Sequence, residues 1–240
     1  MHRLIVALDF PHQTRAVELV KTLEGLPVSF KVGLQLFTAA GPSVVREIQK
    51  KGADVFLDLK FFDIPNTVAH AAVEAGRLGA KMLTFHCLGG EKMLRTARET
   101  LEKASAQEGF PMPMLLGVTV LTSFDQAALA SLGIDRPLES MVCHLAGIAK
   151  RSGFHGLVCS PRELTTLKSS GPAGLVLVTP GIRPEQAPTD DQARAATARY
   201  AITSGADYLV VGRPITQAAN PRQAAEQLIQ EIEDARTERS

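Results

Sequence analysis

Excess charge of either sign is missing from this sequence. Lys and Arg number 26, Asp and Glu 25, and the formal net charge is +1. A near-neutral chain has no electrostatic pull toward nucleic acid or a membrane surface. Paired cysteines are missing too. Cys87, Cys143 and Cys159 are odd in number and scattered, with no metal-ligand or redox spacing. They read as free thiols in a reducing, cytoplasmic setting. No apolar run approaches the roughly 20 residues that a membrane-spanning helix needs. The opening stretch Arg3-Leu4-Ile5-Val6-Ala7-Leu8 is too short for a secretory leader with its flanks. Low-complexity tracts and linkers are absent as well. What remains is ordinary for a globular protein: 240 residues, 45% hydrophobic and 21% charged. That length buries a sizeable core and suits one domain over residues 1–240.

Short apolar runs alternate with longer amphipathic ones. The short runs, at 4–8, 28–32, 55–59, 82–86, 114–120, 156–160, 175–179 and 208–212, are rich in Val, Leu and Ile and lack strict alternation. Strands buried on both faces read this way. The stretches 14–23, 42–50, 66–78, 91–107, 137–151, 161–168, 191–204 and 221–236 carry apolar residues at helical spacing. Gly25, Gly52, Gly79, Gly153 and Gly205 lie at or near the ends of helical stretches, where a left-handed cap favours glycine. Eight such units predict a closed (β/α)8 TIM barrel. An open doubly wound sheet has fewer strands and a glycine-rich first turn, whereas here the first strand runs into Asp9-Phe10-Pro11-His12. The Glu- and Arg-rich end, 231–240, reads as a segment liable to fray.

In such a barrel the chemistry sits at the C-terminal ends of the strands. Those ends carry Asp9, Lys31, Asp58 with Lys60, His86, Thr119 and Thr122, Ser160, Thr179 to Arg183, and Gly212-Arg213. Charges gathered on one rim are costly unless paired or used. Strand alternation predicts that Asp58 and Lys60 share a side, with Asp63 in the loop beyond and Lys31 nearby. Carboxylates flanking Lys60 favour its ammonium form, since opposite charges about 4 Å apart attract by about 4 kcal/mol at an effective dielectric near 20. An ammonium is a poor imine-forming nucleophile but a good proton donor and stabiliser of a developing carbanion. It would also repel a divalent cation, so no metal is expected. The plainer reading is an ion-pair cluster that only ties strands together, and four charges on one rim argue against it. His86 reads more simply as a hydrogen-bonded structural histidine.

A second feature reads as a phosphate cradle. Gly181 and Gly212 let backbone N–H groups approach an anion, and Arg183 or Arg213 offers a bidentate fork. The plainer reading is two glycine turns with solvent-facing arginines. Residues 183–191 are long for a strand-to-helix connection and suggest a lid.

Asp58-Leu59-Lys60-Phe61-Phe62-Asp63-Ile64-Pro65-Asn66-Thr67-Val68 resembles the signature of the orotidine 5'-phosphate decarboxylase family. So, in order, do Leu8-Asp9, Phe30-Lys31-Val32-Gly33, Val118 to Ser123, Thr179 to Arg183, Asp191-Gln192 and Val211 to Pro214. The resemblance implies decarboxylation of orotidine 5'-monophosphate (OMP) to UMP, the last step of pyrimidine synthesis. It implies Lys60 as proton donor to C6, Asp58 near the substrate carboxylate, and Asp9 and Lys31 on the ribose. Thr122 would contact the base, and Arg183, Gln192, Gly212 and Arg213 would hold the 5'-phosphate. Asp63, with Ile64 and Thr67, would serve a neighbouring subunit's site in a homodimer.

No cofactor motif offers an electron sink, so fixed charges must carry the reaction. Three rival readings differ from this one at particular residues. A magnesium-dependent 3-keto-L-gulonate 6-phosphate decarboxylase shares Asp-x-Lys-x-x-Asp, but carries an acid at the Lys31 position and lacks the Ile-Pro-Asn-Thr extension. A non-catalytic nucleotide-binding barrel has no need of Lys60. A barrel isomerase of amino-acid synthesis shares the cradle without the strand-3 charges.

Overall fold

The eight apolar runs become eight strands. In the computed structural model, which describes residues 1–183 and 196–239, they are β1 (Leu4–Ala7), β2 (Val28–Gly33), β3 (Val55–Phe61), β4 (Met82–His86), β5 (Met114–Val118), β6 (Gly156–Val158), β7 (Val176–Thr179) and β8 (Tyr208–Val211). Every pairing is parallel, and β8 returns to β1, so the sheet closes in sequence order into a TIM barrel. Closure leaves no edge strand, and the helices cover the outer face. Both faces are therefore dry, which is why these strands lack an alternating pattern.

The pleat divides the apolar residues into two sets. Ile5, Ala7, Phe56, Met82, Leu116, Val178 and Val210 fill the barrel interior. Leu4, Val6, Leu57, Leu83, Leu115, Leu177, Leu209 and their neighbours point outward and form one continuous core with the helices. Interior filling makes the barrel a packed body whose upper layer can floor a site.

Most helices fall where periodicity puts them, among them Gln13–Thr22, Ser43–Gln49, Pro65–Arg77, Gly90–Glu108 and Leu138–Arg151. The stretch 161–168 splits into a 3-10 turn, Pro161–Glu163, and the helix Leu164–Ser170. Ser160 caps that turn reciprocally with Glu163, whose carboxylate accepts the Ser160 N–H at 3.0 Å. Gly153 adopts φ +76 behind the helix Leu138–Arg151, a conformation that costs glycine little.

Three short helices escape the sequence reading: Leu34–Ala40, Gln126–Ser131 and Arg213–Thr216. Each has at most seven residues, too few for a 3.6 period to stand out. The expected fray at 231–240 also gives way. The helix Pro221–Arg239 runs on through the described part of this segment, Glu233 pairs with Arg236 at 2.8 Å, and Arg199 bonds Glu238 from a neighbouring helix. Of the predicted helix 191–204, residues 196–204 lie within the described residues, and Ala198–Thr203 among them form a helix. No helix among the described residues is long and apolar enough to cross a membrane.

Candidate active site

Strand register sets the site before any side chain is considered. Ala7 pairs with Lys31, Lys31 with Phe56, and Gly33 with Asp58. Ala7 and Phe56 belong to the interior set. Lys31 stands level with them and Asp58 one inward position higher on β3, both almost fully buried.

The charges join into a chain that alternates in sign. Asp9 Oδ1 lies 3.1 Å from Lys31 Nζ, Lys31 Nζ lies 3.5 Å from Asp58 Oδ2, and Lys60 Nζ donates to Asp58 Oδ1 at 2.9 Å. A Cβ on Gly33 would stand 3.0 Å from Lys31 Nζ and 3.3 Å from Asp9 Oδ1, so the bare glycine leaves room for this pair. Burial alone disfavours the charged form of each central member. For Lys31 that pull is downward, but the charges of Asp58 and Asp9 outweigh it and hold its pKa above the ordinary value. For Asp58 burial pushes upward, yet Lys31 and Lys60 outweigh it and hold the carboxyl below its ordinary value.

Two expectations need correction here. Simple alternation is not what brings Lys60 to Asp58. Leu57 pairs with Leu83 and Phe61 with Phe85, so four residue steps on β3 face two on β4. The surplus forms a bulge, and Lys60 sits in it at φ +49, the one non-glycine residue with positive φ among the described residues. A left-handed backbone at a lysine costs about 1–3 kcal/mol and persists only where its surroundings hold it. The second correction concerns Asp63, which does not flank Lys60 within one chain. Its carboxylate instead accepts the N–H of Ile64 at 2.6 Å, and Asp9 takes the fourth place in the array.

Above the charge chain lies a cavity of about 660 Å³. Its lining includes Asp9, Lys31, Asp58, Lys60, Thr122, Arg183, Gly212 and Arg213 from the expected set. Gly181, at φ +81, lines it as well. Asp63, Ile64 and Thr67 are exposed and outside that lining. Gln192 and most of the expected lid, 184–191, fall outside the described residues. The described chain resumes at Ala196, whose carbonyl accepts the Arg183 N–H at 2.9 Å and whose N–H reaches Gly181 O at 3.1 Å.

Other rim residues take structural parts. The Thr119 hydroxyl is buried against the Val158 carbonyl at 3.4 Å, and Ser160 is a cap. His86 accepts the Leu88 N–H at 3.4 Å and stands beside the Phe62 ring, with centroids 5.6 Å apart. Burial and the nearby Lys60 charge both depress its pKa, which keeps it neutral. Sequence reasoning missed Arg15 and Gln217. Both line the cavity, and Arg15 lies over the Phe10 ring at 5.7 Å. Their signal was position alone: Arg15 lies in the first turn of the helix after β1, and Gln217 caps the four-residue helix after β8. Among the described residues, no three His, Cys, Asp or Glu side chains gather as a metal-ligand group.

The family model "Orotidine 5'-phosphate decarboxylase / HUMPS family" matches residues 2–228. The chain belongs to this family. An orotidine 5'-phosphate decarboxylase of Syntrophotalea carbinolica is 49% identical over 231 residues, covering 96% of this chain and 94% of the relative. One from Pseudomonas aeruginosa is 47% identical over 229 residues, covering 95% and 97%. The crystal structure of orotidine 5'-phosphate decarboxylase from Lactobacillus acidophilus matches with a TM-score of 0.84 at 36% identity, covering 97% of this chain and 99% of that one. These relatives are named for a carboxy-lyase, and the chain is an enzyme of that class. Within the family, the alternating chain on β2 and β3 is the feature from which a reaction can be argued.

Proposed function

We propose that this chain decarboxylates OMP to UMP at the end of pyrimidine synthesis, without metal or cofactor, as a cytoplasmic homodimer. The observation that carries the reading is the ion-pair chain Asp9–Lys31–Asp58–Lys60, buried at its two central members, which places an ammonium at the floor of a cavity of nucleotide size. The C6–carboxylate bond of the pyrimidine breaks and CO2 departs. The electron pair stays on C6, in the ring plane where no π-system absorbs it. Lys60 stabilises that charge and passes an Nζ proton to C6, and the neutral amine then takes a proton from solvent. The charges are fixed by their neighbours before substrate arrives, so little reorganisation is left for the reaction itself.

The remaining residues divide by position. Asp9 and Lys31 hold ribose hydroxyls, and Thr122 contacts the base. Arg183, Gln192, Gly212 and Arg213 hold the 5'-phosphate, whose binding energy is available far from the reacting bond. Asp63, Ile64 and Thr67 complete the partner subunit's site. That assignment is supported by their exposure and by the apolar surface around them, with Ile64 67% and Phe62 58% exposed.

The test is turnover of OMP by chelator-treated protein, followed as the change in pyrimidine ultraviolet absorbance. Conversion to UMP without added metal is expected. No turnover with or without magnesium overturns the assignment, and turnover of 3-keto-L-gulonate 6-phosphate in its place moves the chain to that reaction.

A further inference from the structure

Thr84 on β4 lies outside the cavity lining, yet its hydroxyl touches the two residues that matter most. It accepts the backbone N–H of Lys60 at 2.9 Å and donates to Asp58 Oδ1 at 2.9 Å. A hydroxyl has one proton to donate and lone pairs to accept, so both bonds form at once. The residue is fully buried, so no water replaces either partner without rearrangement. The Lys60 N–H it accepts belongs to the bulge, where the β3–β4 ladder is interrupted. The oxygen it donates to is the same one that accepts Lys60 Nζ.

We propose that Thr84 is the positioning residue of the proton donor. Its single hydroxyl fixes the left-handed backbone of Lys60 and the rotamer of Asp58 together, which sets where the ammonium stands. It acts through those two residues and does not touch the substrate. The proposal rests on the decarboxylase reading above and adds a residue to it. With the hydroxyl removed, the Lys60 backbone loses its acceptor and is free to relax, and the Asp58 carboxylate loses one of its donors. A displacement of about 1 Å at a reacting group can cost about 100-fold in rate.

The test compares Thr84→Val, which keeps the shape and removes the hydroxyl, with Thr84→Ser, which keeps the hydroxyl. Circular dichroism and thermal unfolding establish that each is folded. If Thr84→Val does not fold, Thr84→Ala takes its place under the same criteria. We expect the hydroxyl-free variant to lose between about 10-fold and 100-fold in kcat while its Kd for UMP changes less than about threefold. Thr84→Ser should stay within about threefold of the parent in both. A merely structural role would move binding and the folded fraction along with kcat and would not give this split. A folded hydroxyl-free variant with parental kcat overturns the proposal, and so does a folded Thr84→Ser as slow as Thr84→Val. Parental OMP turnover, measured alongside, keeps the two readings apart: a parent that does not turn over overturns both.

Discussion

At the scale of single residues, Lys60 carries the most weight and the most strain. It donates to Asp58, its backbone is left-handed, and in the proposed reaction it supplies the proton. Lys60→Ala should lower kcat by at least about 10³-fold, in line with the loss of a general acid that also stabilises charge. The same variant should keep its thermal unfolding profile and bind UMP, which calorimetry would report. Activity within about tenfold of the parent would remove Lys60 from the donor role. The residue types at this site were plain in the sequence, since Asp-x-Lys at a strand end announces buried charge. The backbone that joins them was not. A positive φ leaves no trace when the residue is lysine rather than glycine, and Thr84 reads as one more β-branched residue in a strand. Asp9 was legible as a rim acid, but its place as the fourth charge depended on the register of β1 against β2.

At the scale of elements, the charge chain is a tie between strands. Asp9 follows β1, Lys31 lies on β2, and Asp58 and Lys60 lie on β3. The sign of its pH dependence follows from the shifts. Asp58 is held below its ordinary value of 3.8, so its contribution to stability is complete above that value and fades as pH falls through the lowered one. Lys31 is held above 10.5, so its contribution is complete below that value and fades as pH rises through the raised one. The difference in unfolding temperature between the parent and Asp58→Asn should therefore be flat from about pH 5 to about pH 9 and shrink below about pH 4. A difference that varies through the neutral range would show that the tie is not ionic in this way. Strands and long helices were legible because burial and periodicity repeat over many residues. The short helices after β2, before Leu138 and after β8 were not, because one or two turns give no repeat to detect.

At the scale of the whole molecule, closure of the barrel brings residues from opposite ends of the chain into one cavity. Asp9 and Arg213 both line it although about 200 positions separate them. The count of eight strand-like runs made that closure legible, because each βα unit adds one strand to a parallel sheet. Assembly beyond the chain is argued from what the cavity leaves outside. Asp63, Ile64 and Thr67 lie exposed beside Phe62, away from their own chain's cavity. Mixing inactive Lys60→Ala and Asp63→Ala chains should therefore restore activity, since one of the two sites in a hybrid dimer carries neither lesion. Up to about a quarter of all sites would be intact if subunits exchange at random and assemble with the usual two-fold symmetry. Inactivity after subunit exchange has been shown by size or mass would mean that each chain completes its own site.

The bulge on β3 also bears on how this enzyme can change over generations. Because Leu57–Leu83 and Phe61–Phe85 stitch it down on both sides, the extra residues do not lengthen the strand, and Lys60 among them lines the cavity. The side chain at position 60 is open to replacement, and with it the chemistry. The length of the segment is not, since losing one residue between the two stitches would turn Phe61 and the loop beyond it toward the opposite face. New activities on this scaffold are thus reached by substitution at a fixed spacing, and insertions and deletions are confined to the loops.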